Sequence, residues 1–94
     1  MVALGITKMY SRAMRFYYPC TIHDTPIPNE VEATLRFGAK EIYLFAPISK
    51  VDKEKGVIEL HVIGEVGDRL LVSLPGEAQN AGSTITVERS FIKT

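Results

Sequence analysis

The chain carries few residues whose types suit covalent or metal chemistry. It has two histidines, His23 and His61, and one cysteine, Cys20. His23 precedes Asp24, but neighbouring residues in a strand point to opposite faces, so adjacency alone does not make a catalytic pair. A metal site needs three or four ligands at a recognisable spacing, and no such set is visible in the sequence. We therefore expect no metal and no cofactor, and we interpret the chain as non-enzymatic, with an active site assembled only in three dimensions left open.

The N-terminal residues indicate a second kind of chemistry. No acidic residue precedes Asp24, whereas cations and aromatic rings alternate there: Lys8, Tyr10, Arg12, Arg15 and Tyr17. Cations that hold phosphates beside rings on which bases stack are typical of single-strand nucleic-acid binders. Such proteins usually have a basic excess, but this chain has 11 Lys and Arg against 11 Asp and Glu. A weak nucleic-acid site at this patch is therefore our alternative hypothesis.

Length and composition predict one domain over residues 1–94, in which residues 1–13 form a flexible arm or an edge strand. A single cysteine excludes an internal disulfide, and small secreted domains usually have several. No stretch approaches the roughly 18 apolar residues of a membrane span, and no signal peptide is visible. We expect a cytoplasmic protein that does not contact a membrane. Methionines at positions 1, 9 and 14 leave the native start open.

Alternation of apolar and polar residues with a period of two dominates the chain and predicts β-strands. It covers residues 14–18, 42–46, 58–63, 70–74 and 84–88. Gly67-Asp68 has the composition of a two-residue hairpin turn, Gly64 indicates a bulge, and Pro75-Gly76 is expected to end a strand. The prediction is a mainly β fold, a small antiparallel barrel or strongly bent meander sheet of five to six strands. By strand pattern alone, it resembles SH3-like barrels.

Residues 29–37 fit two structures. Val31 and Leu35 belong to a clean alternation that predicts a strand. The same two residues are also four positions apart, Asn29 suits a helix N-cap, and Gly38 suits the position after a helix. A short helix would make the fold α+β, whereas a strand would extend the sheet. The sequence leaves both open.

Several strands carry apolar residues on both faces. Tyr43, Phe45 and Leu71 lie opposite the core-forming residues of their own strands. The second face of a one-layer sheet needs cover from an arm, a helix or another subunit. A chain near neutrality also lacks the self-repulsion that keeps monomers apart. Our first hypothesis is therefore a non-enzymatic protein-interaction module, expected to be a homo-oligomer or to bind a protein partner, with these three residues at the interface.

Overall fold

The computed structural model describes residues 5–79 and 82–92, which form eight antiparallel strands. In chain order the strands are β1 (Lys8–Pro19), β2 (Thr21–Asp24), β3 (Glu30–Phe37), β4 (Lys40–Pro47), β5 (Val51–Asp52), β6 (Val57–Val66), β7 (Arg69–Ala78) and β8 (Gly82–Glu88). Two single 3₁₀ turns, Ile48–Lys50 and Arg89–Phe91, follow β4 and β8.

The strands lie side by side in the order β1-β6-β7-β4-β3-β2, with β5 also paired to β6 and β8 to β7. The predicted mainly β, antiparallel architecture is confirmed. The predicted five to six strands were too few, because β2 and β5 have only four and two residues and such short strands leave no periodic pattern to detect. The sheet is not closed: β1 and β2 stand at the two ends of the strand order, joined through Cys20.

The helical alternative for residues 29–37 is wrong, since this segment forms β3. Asn29 is not an N-cap but a turn residue with φ of 65°, a conformation that asparagine tolerates better than most residues. All four apolar residues of β3 are buried, at positions 31, 33, 35 and 37. A short helix would have directed fewer of them to the core, so burial favours the extended form.

Strand β7 is long and links two parts of the sheet. Its first half lies between β6 and β8, while Ala78 near its end pairs with Leu44 of β4. Pro75-Gly76 does not end the strand as predicted, but falls where the pairing with β8 is irregular, between Ser73 and Ala78. At Gly76 a Cβ atom would overlap the Phe45 carbonyl oxygen of β4. Glycine is therefore what allows the two backbones to approach here.

The core lies between the inner faces of the bent sheet. Its members come from five strands and from the residue after the last turn: Ala33, Leu35, Phe37, Ile42, Leu44, Ala46, Ile58, Leu60, Val62, Leu70, Val72, Leu74, Ala78, Ile85, Val87 and Ile92. Removing such a side chain from water contributes about 1.5–3 kcal/mol for each large aliphatic residue. The predicted bulge at Gly64 is confirmed by a register shift after Val62.

Of the predicted N-terminal arm or edge strand, residues 1–4 lie outside the described residues, and residues 8–13 belong to β1. Within residues 5–79 and 82–92, the structure contains no helix of the length and apolar character that crossing a membrane requires.

Candidate functional site

Strand β1 has one edge that no other described strand covers. Its ladder partner is β6, and Cys20, which follows it, donates its amide to the Gly56 carbonyl at 2.9 Å. Backbone groups alternate in direction along an antiparallel strand. In the regular part of the ladder, the backbone groups of Met14, Phe16 and Tyr18 therefore face β6. Those of Arg15 and Tyr17 are directed to the open edge.

Pro19 explains why the sheet stays open beside this edge. The ladder between β2 and β3 ends at the pair Thr21 and Thr34. In the same register, the next pair directed toward each other for hydrogen bonding would be Pro19 with Arg36. Proline has no N–H to donate, so the ladder stops. The Tyr18 hydroxyl instead donates to the Arg36 carbonyl at 2.6 Å. The proline costs the β6 ladder nothing, because its nitrogen faces the open edge.

A cleft of about 540 Å³ lies where β1 and β3 diverge. This volume is within the range of about 300–1,000 Å³ usual for ligand pockets. Four aromatic residues contribute to its walls, Phe16, Tyr17, Tyr18 and Phe91, and Arg36 is its cation. The cleft is therefore a mainly aromatic surface that lies along residues 16–21, beside the open edge of β1.

The aromatic walls are held by packing inside the protein. The Tyr18 ring stacks on Phe37 with centroids 4.4 Å apart, and Phe37 meets Phe91 edge to face at 6.0 Å. Phe37 is buried, so it anchors both rings from below. Aromatic pairs in these geometries contribute about 0.5–1.5 kcal/mol beyond their buried area. The cleft is thus largely preformed.

Cys20 lines the cleft but is not poised for nucleophilic chemistry. Burial raises the pKa of its thiol to about 11, and a nucleophilic cysteine requires a lowered pKa. Burial also raises the pKa of the Tyr18 hydroxyl. Both groups therefore stay protonated at neutral pH, and neither supplies an anionic nucleophile to the cleft.

The structure separates the predicted nucleic-acid patch into two parts. In the first part, Lys8 lies over the Tyr10 ring at 5.9 Å. The Tyr10 hydroxyl donates to the Glu65 carboxylate at 3.1 Å, and Arg89 donates to the same carboxylate at 2.6 Å. These hydrogen bonds lower the pKa of Glu65, that from Arg89 most. Tyr10 is half-buried and its hydroxyl is occupied, so its ring is poorly placed for base stacking.

The second part contains Arg15 and Tyr17. Tyr17 lies roughly 20 Å from Lys8, because their β6 partners Glu59 and Glu65 are six residues apart at about 3.3 Å each. Arg12 lies between the two parts, in the irregular segment between Met9 and Met14. Tyr17 is 59% exposed and shares the outer face with Arg15. Glu59 lies across from Tyr17, but its carboxylate accepts from Lys50 at 3.1 Å, which lowers the pKa of Glu59. Among the described residues, neither Arg12 nor Arg15 has a carboxylate within 4.0 Å.

The three predicted interface residues are not placed alike. Tyr43 and Phe45 lie on the outer face of β4 and are each 39% exposed. Leu71 is only 8% exposed, so other residues of the same chain already cover it. It lies seven positions before Ala78, the β7 residue that pairs with β4. Tyr43 and Phe45 therefore form the exposed aromatic pair of β4, which Leu71 does not join.

The histidines do not come together. His23 is exposed in β2, and His61 lies on β6 with its Nε2 atom 3.7 Å from the Glu59 carboxylate. The described part of the chain contains no group of three or more His, Cys, Asp and Glu side chains arranged to hold a metal ion.

Sequence reasoning missed the open edge and two walls of the cleft, Arg36 and Phe91. Pro19 was a usable indication, because proline within a strand is confined to edges and bulges. No local pattern could have found Phe91, which reaches the cleft from beyond β8.

Comparison with known proteins gives no relative from which to infer function: no family model, no curated protein and no solved structure matches the chain. The open edge and the adjoining cleft therefore have to be interpreted by their own geometry.

Proposed function

We propose that this protein is a non-enzymatic protein-interaction module that binds an extended segment of a partner polypeptide along the open edge of β1. The observation that carries the proposal is the coincidence of that edge with the aromatic cleft. Strand addition to an exposed sheet edge is a recurring mode of peptide recognition, in which the backbone supplies hydrogen bonds and pockets read alternate side chains.

The edge supplies a limited number of backbone hydrogen bonds. Arg15 and Tyr17 each offer one N–H and one C=O, which makes four in all. At about 0.5–1.5 kcal/mol net for each, they contribute about 2–6 kcal/mol. Association itself costs at least about 4 kcal/mol, so an apolar side chain in the cleft has to supply the surplus. One buried apolar side chain contributes about 3 kcal/mol at most, which leaves a net free energy of binding of about 5 kcal/mol or less. We therefore expect dissociation constants of about 0.2 mM or weaker.

Self-association is a separate part of the proposal and uses the aromatic pair of β4. Two exposed rings side by side on one strand are the kind of apolar surface that a second copy covers in a homo-oligomer. A single cysteine whose thiol is not activated supports placing the module in the reducing cytoplasm.

The test is a phage-displayed library of random peptides selected on the immobilised protein. Selected peptides are then titrated into the labelled protein, and amide hydrogen exchange is followed by NMR. We expect the Arg15 and Tyr17 amides to exchange rapidly in the free protein, because they face solvent, and to become protected when a peptide is bound. Peptide binding should also slow modification of the Cys20 thiol.

Two variants at position 17 distinguish the contribution of the backbone to binding from that of the side chain. Tyr17→Ala removes the ring and keeps the N–H, whereas Tyr17→Pro removes both. The proposal predicts that Tyr17→Pro binds selected peptides about 2- to 13-fold more weakly than Tyr17→Ala, as loss of one backbone hydrogen bond of about 0.5–1.5 kcal/mol implies. Equal affinities for the two variants, or protection of amides elsewhere than β1, would refute strand addition.

A further inference from the structure

We infer that the segment bound along β1 alternates acidic and apolar residues. The inference rests on the proposed function, because it concerns the chemistry of the peptide that occupies the same edge. It is drawn from the two faces that the edge presents and from the charges on one of them.

The inner face of the edge is apolar. Phe16 and Tyr18 direct their side chains inward, where both pack against the core, and Phe91 stands beside them in the cleft. An added strand places every second side chain on this inner face. Charged groups there would lose water without gaining a partner, so these positions of the peptide require apolar residues.

The outer face of the edge is cationic. Arg15 and Tyr17 alternate with the inward residues, and Arg12 precedes them, all exposed. β1 contains no acidic residue, and the Glu59 carboxylate across from Tyr17 already accepts a hydrogen bond from Lys50. Arg15 interacts electrostatically with the Glu59 carboxylate, but among the described residues neither arginine forms an ion pair. Both therefore keep cationic charge near this open edge. Side chains directly across an antiparallel pair lie about 4.5–5.5 Å apart at Cβ, which brings a glutamate of the added strand within reach of Arg15.

A peptide fits this arrangement better than a nucleic acid does. Tight binding to single-stranded nucleic acid needs several phosphate contacts and stacked bases along a continuous groove. Here Lys8 is distant from Arg15 and Tyr17, and the Tyr10 hydroxyl is engaged by Glu65. The alternating backbone donors and acceptors of the open edge match a second polypeptide strand, whereas the phosphates of a nucleic acid supply only acceptors.

The test compares three synthetic hexapeptides with blocked ends. All have valine at alternate positions, and the positions between are glutamate, serine or lysine. Affinities are measured by NMR titration at low and high salt. We expect the glutamate peptide to bind about 3- to 10-fold more tightly than the serine peptide, as expected of one or two exposed ion pairs. We expect the lysine peptide to bind most weakly. High salt should remove most of the difference, because it screens exposed charges.

Charge-removing variants supply the control. Arg12→Gln with Arg15→Gln should reduce the ratio of the glutamate peptide's affinity to the serine peptide's affinity to about 2-fold or less. Arg69→Gln removes an exposed arginine from β7, away from the edge, and should leave the preference intact.

The outcomes separate the inference from the proposed function. Equal binding of all three peptides, lost in Tyr17→Pro, would overturn the acidic preference and leave strand addition standing. Failure of both these peptides and the library to bind would overturn the proposed function itself. A thymidine oligonucleotide that binds more tightly than the glutamate peptide, and is released by the arginine substitutions, would overturn the inference in favour of the nucleic-acid alternative.

Discussion

Proline substitution along β1 tests the direction of its backbone groups, on which the binding site depends. The Phe16 N–H faces β6, opposite Leu60, whereas the Tyr17 N–H faces the open edge. We compare Phe16→Pro and Tyr17→Pro, each against the alanine variant at the same position. The alanine reference removes the contribution of the lost ring, so what remains is the effect of the missing N–H and of the proline φ restriction.

The expected difference in stability follows from the hydrogen bonds between β1 and β6. At position 16 proline leaves the Leu60 carbonyl without its donor, at a cost of about 1–3 kcal/mol. At position 17 no ladder bond is lost, and the φ restriction is common to both sites. We therefore expect Phe16→Pro to lower the free energy of unfolding by about 1–3 kcal/mol more than Tyr17→Pro, each relative to alanine. In a domain of this size each kcal/mol shifts the melting temperature by about 4–8 °C.

The assay is urea denaturation followed by circular dichroism, with thermal melts as a second measurement. Equal m-values across the four variants establish that the unfolding reaction is the same. If proline at position 17 costs as much as proline at position 16, the backbone groups are not directed as described. The open edge then offers no ladder at Tyr17, and strand addition there is excluded.

Four further outcomes are expected. Gly76→Ala should destabilise the protein by about 1–3 kcal/mol or more in urea denaturation, because the new Cβ overlaps the Phe45 carbonyl oxygen, whereas Gly5→Ala, with no atom within 4 Å, should be nearly neutral. Phe45→Lys should reduce the assembled mass in light scattering while changing the free energy of unfolding by about 0.5 kcal/mol or less, as for most surface substitutions. The lowered pKa of Glu65 means that its contribution to stability is present above the carboxyl's ordinary pKa and is lost as pH falls through the lowered value. The protection factors of amides in the first half of β1, which are corrected for the intrinsic exchange rate at each pH, should therefore fall at acid pH. Glu65→Gln should abolish that pH dependence. Burial raises the pKa of the Cys20 thiol from 9.0 to about 11, which lowers the thiolate fraction at neutral pH about 100-fold. The alkylation rate of Cys20 should therefore be low at neutral pH and should increase up to about pH 11.

Contrary results would each remove a specific argument. A neutral Gly76→Ala would mean that β7 and β4 do not approach as closely as described. An assembled mass unchanged by Phe45→Lys would exclude the aromatic pair of β4 as the self-association surface. Protection factors in the first half of β1 that do not change at acid pH would show that the Glu65 carboxylate does not stabilise that strand. Rapid alkylation at neutral pH would show that the Cys20 thiol is exposed and that the residues around it do not line the cleft as described.

The local pattern of the sequence predicted most of the sheet. Alternation located β4, β6, β7 and β8 near their observed positions, because side chains in a half-buried strand must alternate between core and solvent. The same rule could not decide residues 29–37, where Val31 and Leu35 satisfy both a strand and a helix. Tertiary burial decided it: the strand directs all four apolar residues of the segment to the core, and a helix of that length does not.

The candidate site was only partly accessible from the sequence. Arg15 and Tyr17 were singled out because of their types, and both lie at the open edge. Tyr10 was grouped with them by spacing, but its hydroxyl hydrogen-bonds to Glu65, 55 positions away in the chain. Leu71 was expected at an interface, and the fold covers it within the chain. Composition and spacing describe which groups are present, but contacts between distant residues determine which of them remain available.

By itself, the sequence determined that this chain forms an antiparallel sheet, because period-two alternation and tight glycine turns are local properties of consecutive residues. Only the tertiary structure decided which edge stays open. That edge results from three features that meet in space: the backbone direction set by the β1–β6 ladder, the missing N–H of Pro19 opposite Arg36, and the ring of Phe91 arriving from beyond β8. Pairing between segments far apart in sequence is chosen by the packing of the whole core, and no short stretch of residues encodes it.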